Sequence, residues 1–461
     1  MKKDTSKDFT QGPLLSQILL YTIPLVATSV IQLLFNTADT IVVGRWGGAT
    51  AEECEIALAA VGSCGALTNL IVTLFMGLSI GAGVCVAHGI GAKQYEDVSR
   101  VVHTSVIMAS IGGVIVTVFG IIMAEPLLAL MGTEPDVLKE AAKYMRAYFC
   151  GMPALMLYNY CAAILRSAGD TVRPLSFLGV SGVVNVGLNL VMTLVFHLGA
   201  MGVGIATAAS QWVSCVLIII FMLRTEGICK LELSRLRVDK IKLKRIISLG
   251  LPAGIQSSLF SLSNVLIMSS INSFGKVFVA GNTAASNLEG YVYVIQNAFY
   301  QAAVTFVGQN DGARKYDRLK KCALLCTILV AVMGAFFGNL VYAFGESLLR
   351  VYIPKNTVAV GYGMIRLSFI CVTYFLCGIM EVGSGIMRGM GKAMSPMLVS
   401  LVGSCAFRII WIYTVFAANH TPQTLFFSYP VTWIITASVH YIMSFFVLKK
   451  RVREQKLLIG N

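Results

Sequence analysis

Charge is scarce in this chain. Only 13% of its 461 residues are Asp, Glu, Lys or Arg, against 56% hydrophobic ones, and the mean hydropathy is +0.76. That balance excludes a soluble globular domain. Period-two alternation is missing, which excludes an outer-membrane barrel. There is no H-E-x-x-H, G-x-S-x-G or P-loop, so the common hydrolase and nucleotide-binding signatures are absent. The twelve cysteines form no C-x-x-C pair and fall mostly in apolar runs, as small buried hydrophobes do. His88 and His103 have no carboxylate or cysteine at metal-ligand spacing. The chain therefore reads as neither an enzyme nor a holder of a cofactor. No basic face on a soluble module is present, so nucleic acid is not an expected partner.

What the chain has instead is length in its apolar runs. Twelve stretches of 18 or more residues cover about 14–43, 56–88, 99–123, 138–163, 173–196, 201–223, 246–273, 277–306, 321–344, 359–386, 394–417 and 424–448. Each is long enough to cross a bilayer as a helix. Residues 1–13 lack the short apolar core and small-residue cleavage site of a secretory leader, so the first run is read as a retained span. With residues 1–13 placed in the cytoplasm, 27 of the 36 Lys and Arg fall in inner segments and 8 in outer ones, Arg366 among the latter. This asymmetry predicts both termini inside, in a bacterial inner (plasma) membrane.

The chain also repeats itself. Residues 89–102 (GIGAKQYEDVSRVV) resemble 308–321 (GQNDGARKYDRLKK), and 163–174 (AILRSAGDTVRP) resemble 385–396 (GIMRGMGKAMSP). Gly91 pairs with Gly312, Tyr95 with Tyr316, Arg166 with Arg388 and Pro174 with Pro396; Pro24 and Pro252 each open a long apolar run. The expected architecture is an all-α polytopic membrane protein of twelve transmembrane helices in two pseudo-symmetric six-helix lobes. A cytoplasmic segment 1–13 precedes a first lobe over 14–223. A linker over 224–245 leads to a second lobe over 246–448 and a basic tail over 449–461. The linker reads equally as a short helix on anionic headgroups or as a solvated connector. Duplicated apolar chains with a cavity at the repeat interface are characteristic of transporters.

Ionisable groups inside spans are costly and so are candidates for function. Four stand out: Asp39, Glu289, Glu381 and Arg408. Gln32, Asn36 and Asp39 share one helix stripe, as do Asn185 and Asn189. Thr207 and Asn159 complete a lining in which one carboxylate among amides and hydroxyls holds a proton, a sodium ion or an organic cation. In the second half Glu289, Tyr293, Gln296 and Tyr300 recur at helical spacing, and Glu381 stands on another span. Carboxylates beside tyrosines suit a cationic ligand; an internal salt bridge from Arg408 to Glu381 or Glu289 is the competing reading. One deep arginine against three deep acids predicts an anionic cavity. His103, His197 and His440 lie near span ends or on apolar faces and read as structural.

In the order and spacing of IPLVATSVIQLLFNTADTIVVGR, GIGAKQYEDV, ILRSAGDTVRP, MGVGIATAASQ, GLPAGIQSS and GIMRGMGKAMSP, the chain resembles the multidrug and toxic compound extrusion family over about residues 12–448. The resemblance implies a twelve-helix, V-shaped antiporter that exports cationic or amphipathic small organic compounds in exchange for protons or sodium. It makes Asp39 the cation-coupling acid, with Gln32, Asn36, Asn185 and Thr207 as neighbours. This chain departs from it twice. Asn189 stands where one branch has a second aspartate, and around Gln256 and Asn264 no carboxylate appears where another branch has one. A flippase for lipid-linked precursors is the alternative, and it would favour several arginines in the cavity; a non-transporting intramembrane protein is a further one.

Overall fold

The computed structural model of the chain describes residues 6–48, 50–354 and 356–459. Residues 1–5 of the N-terminal segment, Lys355 of the outer basic set and the last two residues of the tail lie outside the described residues. Regular structure among the described residues is helical throughout. In chain order the helices are α1 (Leu14–Trp46), α2 (Ala51–Gly91), α3 (Tyr95–Leu130), α4 (Pro135–Phe149), α5 (Met152–Ser167), α6 (Val172–Leu194) and α7 (Gly199–Arg224). They continue with α8 (Lys240–Asn272), α9 (Lys276–Gly312), α10 (Tyr316–Ala343), α11 (Gly345–Tyr352), α12 (Thr357–Ile370) and α13 (Tyr374–Gly389). The last two are α14 (Met394–Phe416) and α15 (Pro422–Ile459).

Nine of these are long and apolar enough to cross a membrane. Two further expected spans are bent pairs: α4 with α5 turns by 46° and α12 with α13 by 47°. The first bend falls at Cys150–Gly151, just before Pro153, whose ring cannot continue the ladder. The expected span at 277–306 is α9. It has 37 residues, and its many polar side chains lower its hydropathy below that of the others.

The described residues form two compact units. The first comprises residues 6–7, Ala27–Ile90 and Gln94–Gly254; the second comprises Asp8–Val26, Gly91–Lys93 and 255–459. The division does not follow the chain: residues 8–26, carrying the first half of α1, belong with the second unit. Phe9 stacks on Phe306 there with ring centroids 4.1 Å apart, and the Tyr21 hydroxyl meets Thr305 Oγ1 at 2.8 Å. In the first unit α3 packs on α4 and α5, and α7 on α4, α5 and α6. In the second, α9 packs on α10, α12 and α13, and α13 on α10 and α15.

The sequence repeat is visible as repeated turns. Lys93 and Arg314 both adopt positive φ, 58° and 54°, in the turns that follow α2 and α9. Gly169 and Gly391 do so after α5 and α13, with φ of 92° and 73°. A left-handed residue is a common helix stop, and glycine takes it without strain.

Of the two readings of the linker, a headgroup helix and a solvated connector, its contacts to α3 favour the connector. It holds a turn at Ile228–Cys229 and a helical turn at Leu233–Arg235, and α8 begins within it at Lys240. It is tied down onto α3: the Glu232 N–H donates to His103 Nε2 at 3.0 Å, the Asp239 N–H donates to Thr104 Oγ1 at 3.1 Å, and Lys242 pairs with Asp97 at 2.7 Å. His103 is thus structural, as its place near a span end suggested.

Candidate functional site

The polar centre of the first unit is built by α1, α6 and α7. A Cβ added to Gly182 of α6 would lie 1.5 Å from the Phe35 ring of α1. Only a residue without a side chain allows that approach, which small residues commonly provide between membrane helices. Phe35 and Asp39 are one turn apart, and Gly182, Asn185 and Asn189 share a face. The close contact at Gly182 thereby delivers Asn189 to the acid.

The Asn189 amide donates to Asp39 Oδ1 and, at 3.4 Å, to Asn185 Oδ1. Asn185 Nδ2 donates in turn to Thr207 Oγ1 at 3.5 Å. Asn189 is fully buried, and its own Oδ1 accepts no hydrogen bond. Among the described residues no Lys, Arg or His lies within ion-pair distance of Asp39. The site is therefore a lone acid facing amide and hydroxyl dipoles, with one carbonyl oxygen left over. Of the residues expected around Asp39, the structure brings together Asn185, Asn189 and Thr207. It does not join Gln32, Asn36 or Asn159 to them by hydrogen bonds. Asn36 and Gln32 sit about 4.5 and about 10 Å further down the helix axis, where Phe35 already fills the contact with α6, and both are exposed. Asn159 faces a narrow apolar crevice with Ile71, Met152 and Tyr160.

The second unit corrects the expected charge balance. Arg366, counted with the outer segments, is buried in α12 at 6% exposure. Its Nε and Nη2 donate to the two carboxylate oxygens of Glu289 at 2.7 Å each, and Nη1 donates to Asn282 Oδ1 at 2.7 Å. A Cβ at Gly281 would lie 2.1 Å from the Ala359 carbonyl oxygen, so α9 and α12 approach backbone to backbone just beside this pair. Glu289 is thus in a salt bridge, but with Arg366 rather than with Arg408.

Arg388 is a third buried arginine. It donates to the Tyr300 hydroxyl and, at 2.7 Å, to Gln256 Oε1. Arg366 and Arg408 against Glu289 and Glu381 overturn the expected anionic cavity in this unit. The error came from counting Arg366 with the outer segments and Arg388 with the inner ones; burial follows from pairing across the bundle, which hydropathy does not report.

A cavity of about 570 Å3 is lined by Glu289, Arg366, Tyr293, Glu381, Arg408 and Trp433 among others. Tyr293 and Glu381 line it as expected. Gln296 and Tyr300 do not: Gln296 is fully buried and donates to the Tyr374 carbonyl at 2.8 Å, and Tyr300 is held by Arg388. Arg366 and Asn282 were missed, although an arginine within the apolar run 359–386 was a signal in itself.

Comparison with known proteins agrees with the fold. The model of the family described as MatE matches residues 24–191 and 252–414. The probable multidrug resistance protein YoeA of Bacillus subtilis is 27% identical over 447 residues, which cover 94% of this chain and 94% of that protein. The multidrug export protein MepA of Staphylococcus saprophyticus is 22% identical, covering 87% of each. An outward-facing multidrug resistance MATE family transporter of the MOP superfamily superposes with a TM-score of 0.90 at 20% identity, covering 98% of this chain and 100% of that one. A MOP superfamily transporter from Pyrococcus furiosus, described as having a binding pocket of reverse polarity that suggests a different function, gives 0.89 at 20% identity, with 97% and 99% covered. The structural likenesses show a shared twelve-helix, two-lobe fold.

Proposed function

This chain belongs to the MatE family of multidrug efflux transporters, and on that premise we propose that it is a secondary antiporter: it exports positively charged or amphipathic small organic compounds by alternating access, in exchange for protons or sodium. The observation that carries this reading is the isolation of Asp39. A carboxylate inside a membrane span normally finds a cation, and Asp39 finds only the Asn189 amide. Such a group is a natural place for an exchangeable charge. A proton on Asp39 neutralises the site and weakens its hold on a cationic compound; loss of the proton restores it. Sodium serves the same end, since Asp39 and the unpartnered Oδ1 of Asn189 are hard oxygen donors of the kind that ion takes. The reading needs no cofactor and no enzymatic step. It places the chain in a bacterial plasma membrane with both termini cytoplasmic.

The buried arginines of the second unit give the flippase reading some support, since a lipid-linked pyrophosphate needs several cations. Arg366 is neutralised by Glu289, and Arg388 is held by Tyr300 and Gln256. Among the described residues Arg408 is the one cavity-lining arginine without a carboxylate partner, which is too little for a pyrophosphate and favours the antiporter. The test is efflux of a cationic dye from proteoliposomes under imposed proton or sodium gradients. Wild-type protein should transport under at least one of them and Asp39→Asn under neither. Wild-type rates in Asp39→Asn would remove Asp39 from the mechanism.

A further inference from the structure

Four ionisable side chains line the cavity of the second unit, and two of them are paired. Glu289 and Arg366 form a bidentate pair. The other two have no such partner. Glu381 of α13 has no cation within 4.0 Å, and Arg408 of α14 has no carboxylate, among the described residues.

Arg408 is only 4% exposed. Its Nε donates to Thr432 Oγ1 at a long 3.3 Å, and its guanidinium carbon lies 4.2 Å from the centroid of the Tyr429 ring. Among the described residues its two terminal nitrogens donate to no protein acceptor. Burying a guanidinium without a counter-charge costs several kcal/mol, and its planar fork matches an oxyanion better than any other common group.

The backbone around Arg408 is also unusual. Phe407–Trp411 is a five-residue α-helical stretch between two wide π-type stretches, Leu401–Ala406 and Ile412–Phe416. Such stretches re-aim side chains, and they recur at binding sites. Glu381 lines the same cavity, together with Tyr293, Tyr374 and Trp433. That setting holds an organic cation through charge and ring faces. The cavity, at about 570 Å3, has the size of drug-sized ligand sites.

We propose that this cavity binds dipolar compounds: an aromatic frame carrying one anionic and one cationic group, the anion on Arg408 and the cation on Glu381. That the bound compound is also the one exported rests on the transport reading above; the binding assignment does not.

The test uses the full chain in lipid nanodiscs and two probes with one xanthene frame, followed by fluorescence anisotropy. Rhodamine 110 has a free carboxylate beside its cationic ring system, and rhodamine 123 is its methyl ester. Wild-type protein should bind rhodamine 110 about tenfold more tightly, the scale of a charge-assisted hydrogen-bonded contact. Arg408→Gln should weaken rhodamine 110 by about tenfold and leave rhodamine 123 within about twofold. Glu381→Gln should weaken both probes.

Equal wild-type affinities for the two probes overturn the assignment, and that comparison stands even where Arg408→Gln fails to fold. Equal losses for both probes in Arg408→Gln overturn it too. Discrimination that holds in gluconate and vanishes at saturating chloride marks a small inorganic anion as the occupant and also overturns it. Discrimination that is intact, with no gradient-driven efflux of either probe, overturns the transport reading and leaves this assignment standing.

Discussion

The two halves repeat each other in sequence and in their turns, yet their buried charges are handled in opposite ways. In the first unit the Asn189 amide donates to the acid Asp39, and among the described residues no cation lies within ion-pair distance of it. In the second unit Glu289 is clamped by Arg366 through two hydrogen bonds of 2.7 Å, and Arg366 donates a third to Asn282 Oδ1. An unpaired acid is free to exchange its charge; a clamped one is structural. Duplication has kept the parts that end helices, with Lys93 matching Arg314 and Gly169 matching Gly391 in backbone conformation. It has not kept the polar interior.

The largest expected effect tests the unpaired side of this contrast. Asp39→Asn should lower gradient-driven efflux in proteoliposomes by about a hundredfold or more, since removing a needed charge removes the exchange itself. Its thermal midpoint in detergent should stay close to wild type, because no ion pair is broken and the change falls within about 0.5 kcal/mol. A strongly destabilised Asp39→Asn would show that the acid is structural after all and erase the contrast.

The clamped side should behave in the reverse way. Glu289→Gln leaves Arg366 buried and uncompensated, a change that costs about 3–5 kcal/mol. The double variant Glu289→Gln, Arg366→Met removes both charges and should recover most of that loss, a coupling visible in a double-mutant cycle of thermal midpoints. This reverses the expectation drawn from sequence, in which Glu289 stood among three deep acids in an anionic cavity. Additive losses would place the two residues out of contact.

That reversal shows where the sequence was readable. The spans were legible because lipid demands long apolar helices, and the Asp39 cluster because helix periodicity puts Asn185 and Asn189 on one face. Arg366 pairs with Glu289 across 77 positions of chain, and no local pattern encodes such a partner. The same limit applies to Gln296 and Tyr300. Helical spacing aligned them with Glu289 and Tyr293, but which side of that stripe met a cavity was decided by α13, whose Arg388 takes Tyr300 out of it. The bend between α12 and α13 had no proline to announce it.

A smaller effect concerns the close approaches that set both polar centres. Gly281→Ala would place a Cβ 2.1 Å from the backbone oxygen of Ala359, and a backbone cannot step aside. It should cost about 1–3 kcal/mol. Gly182→Ala meets the edge of the Phe35 ring instead, which can rotate. Its cost should be lower, with the loss read as weaker transport when Asn189 is displaced from Asp39. Equal thermal losses for the two variants would mean that Phe35 is as immobile as a main chain.

The smallest effect lies at helix entrances, where the units again differ in charge. Asp239 caps α8 in the first unit, accepting from the N–H groups of Ile241 at 2.9 Å and Lys242 at 3.1 Å. Asn356 caps α12 in the second, accepting from the Ala359 N–H at 3.0 Å. The Lys242 N–H foremost, then that of Ile241 and the charges of Lys242 and Arg100, hold the Asp239 carboxyl below its ordinary 3.8 against an opposing desolvation. A depressed value means that the ionised form stabilises the folded cap. The contribution is full above the ordinary carboxylate value and is lost as the pH falls through and below it. Amide exchange at Ile241 and Lys242, corrected for intrinsic rates, should therefore accelerate below about pH 4, while exchange at Ala359 should not. Asparagine caps as well as aspartate, so Asp239→Asn should keep both amides protected and remove the pH dependence. Acid-induced opening that persists in Asp239→Asn would transfer the effect to the neighbouring pair of Lys242 and Asp97, which ties the same helix entrance to α3 at 2.7 Å.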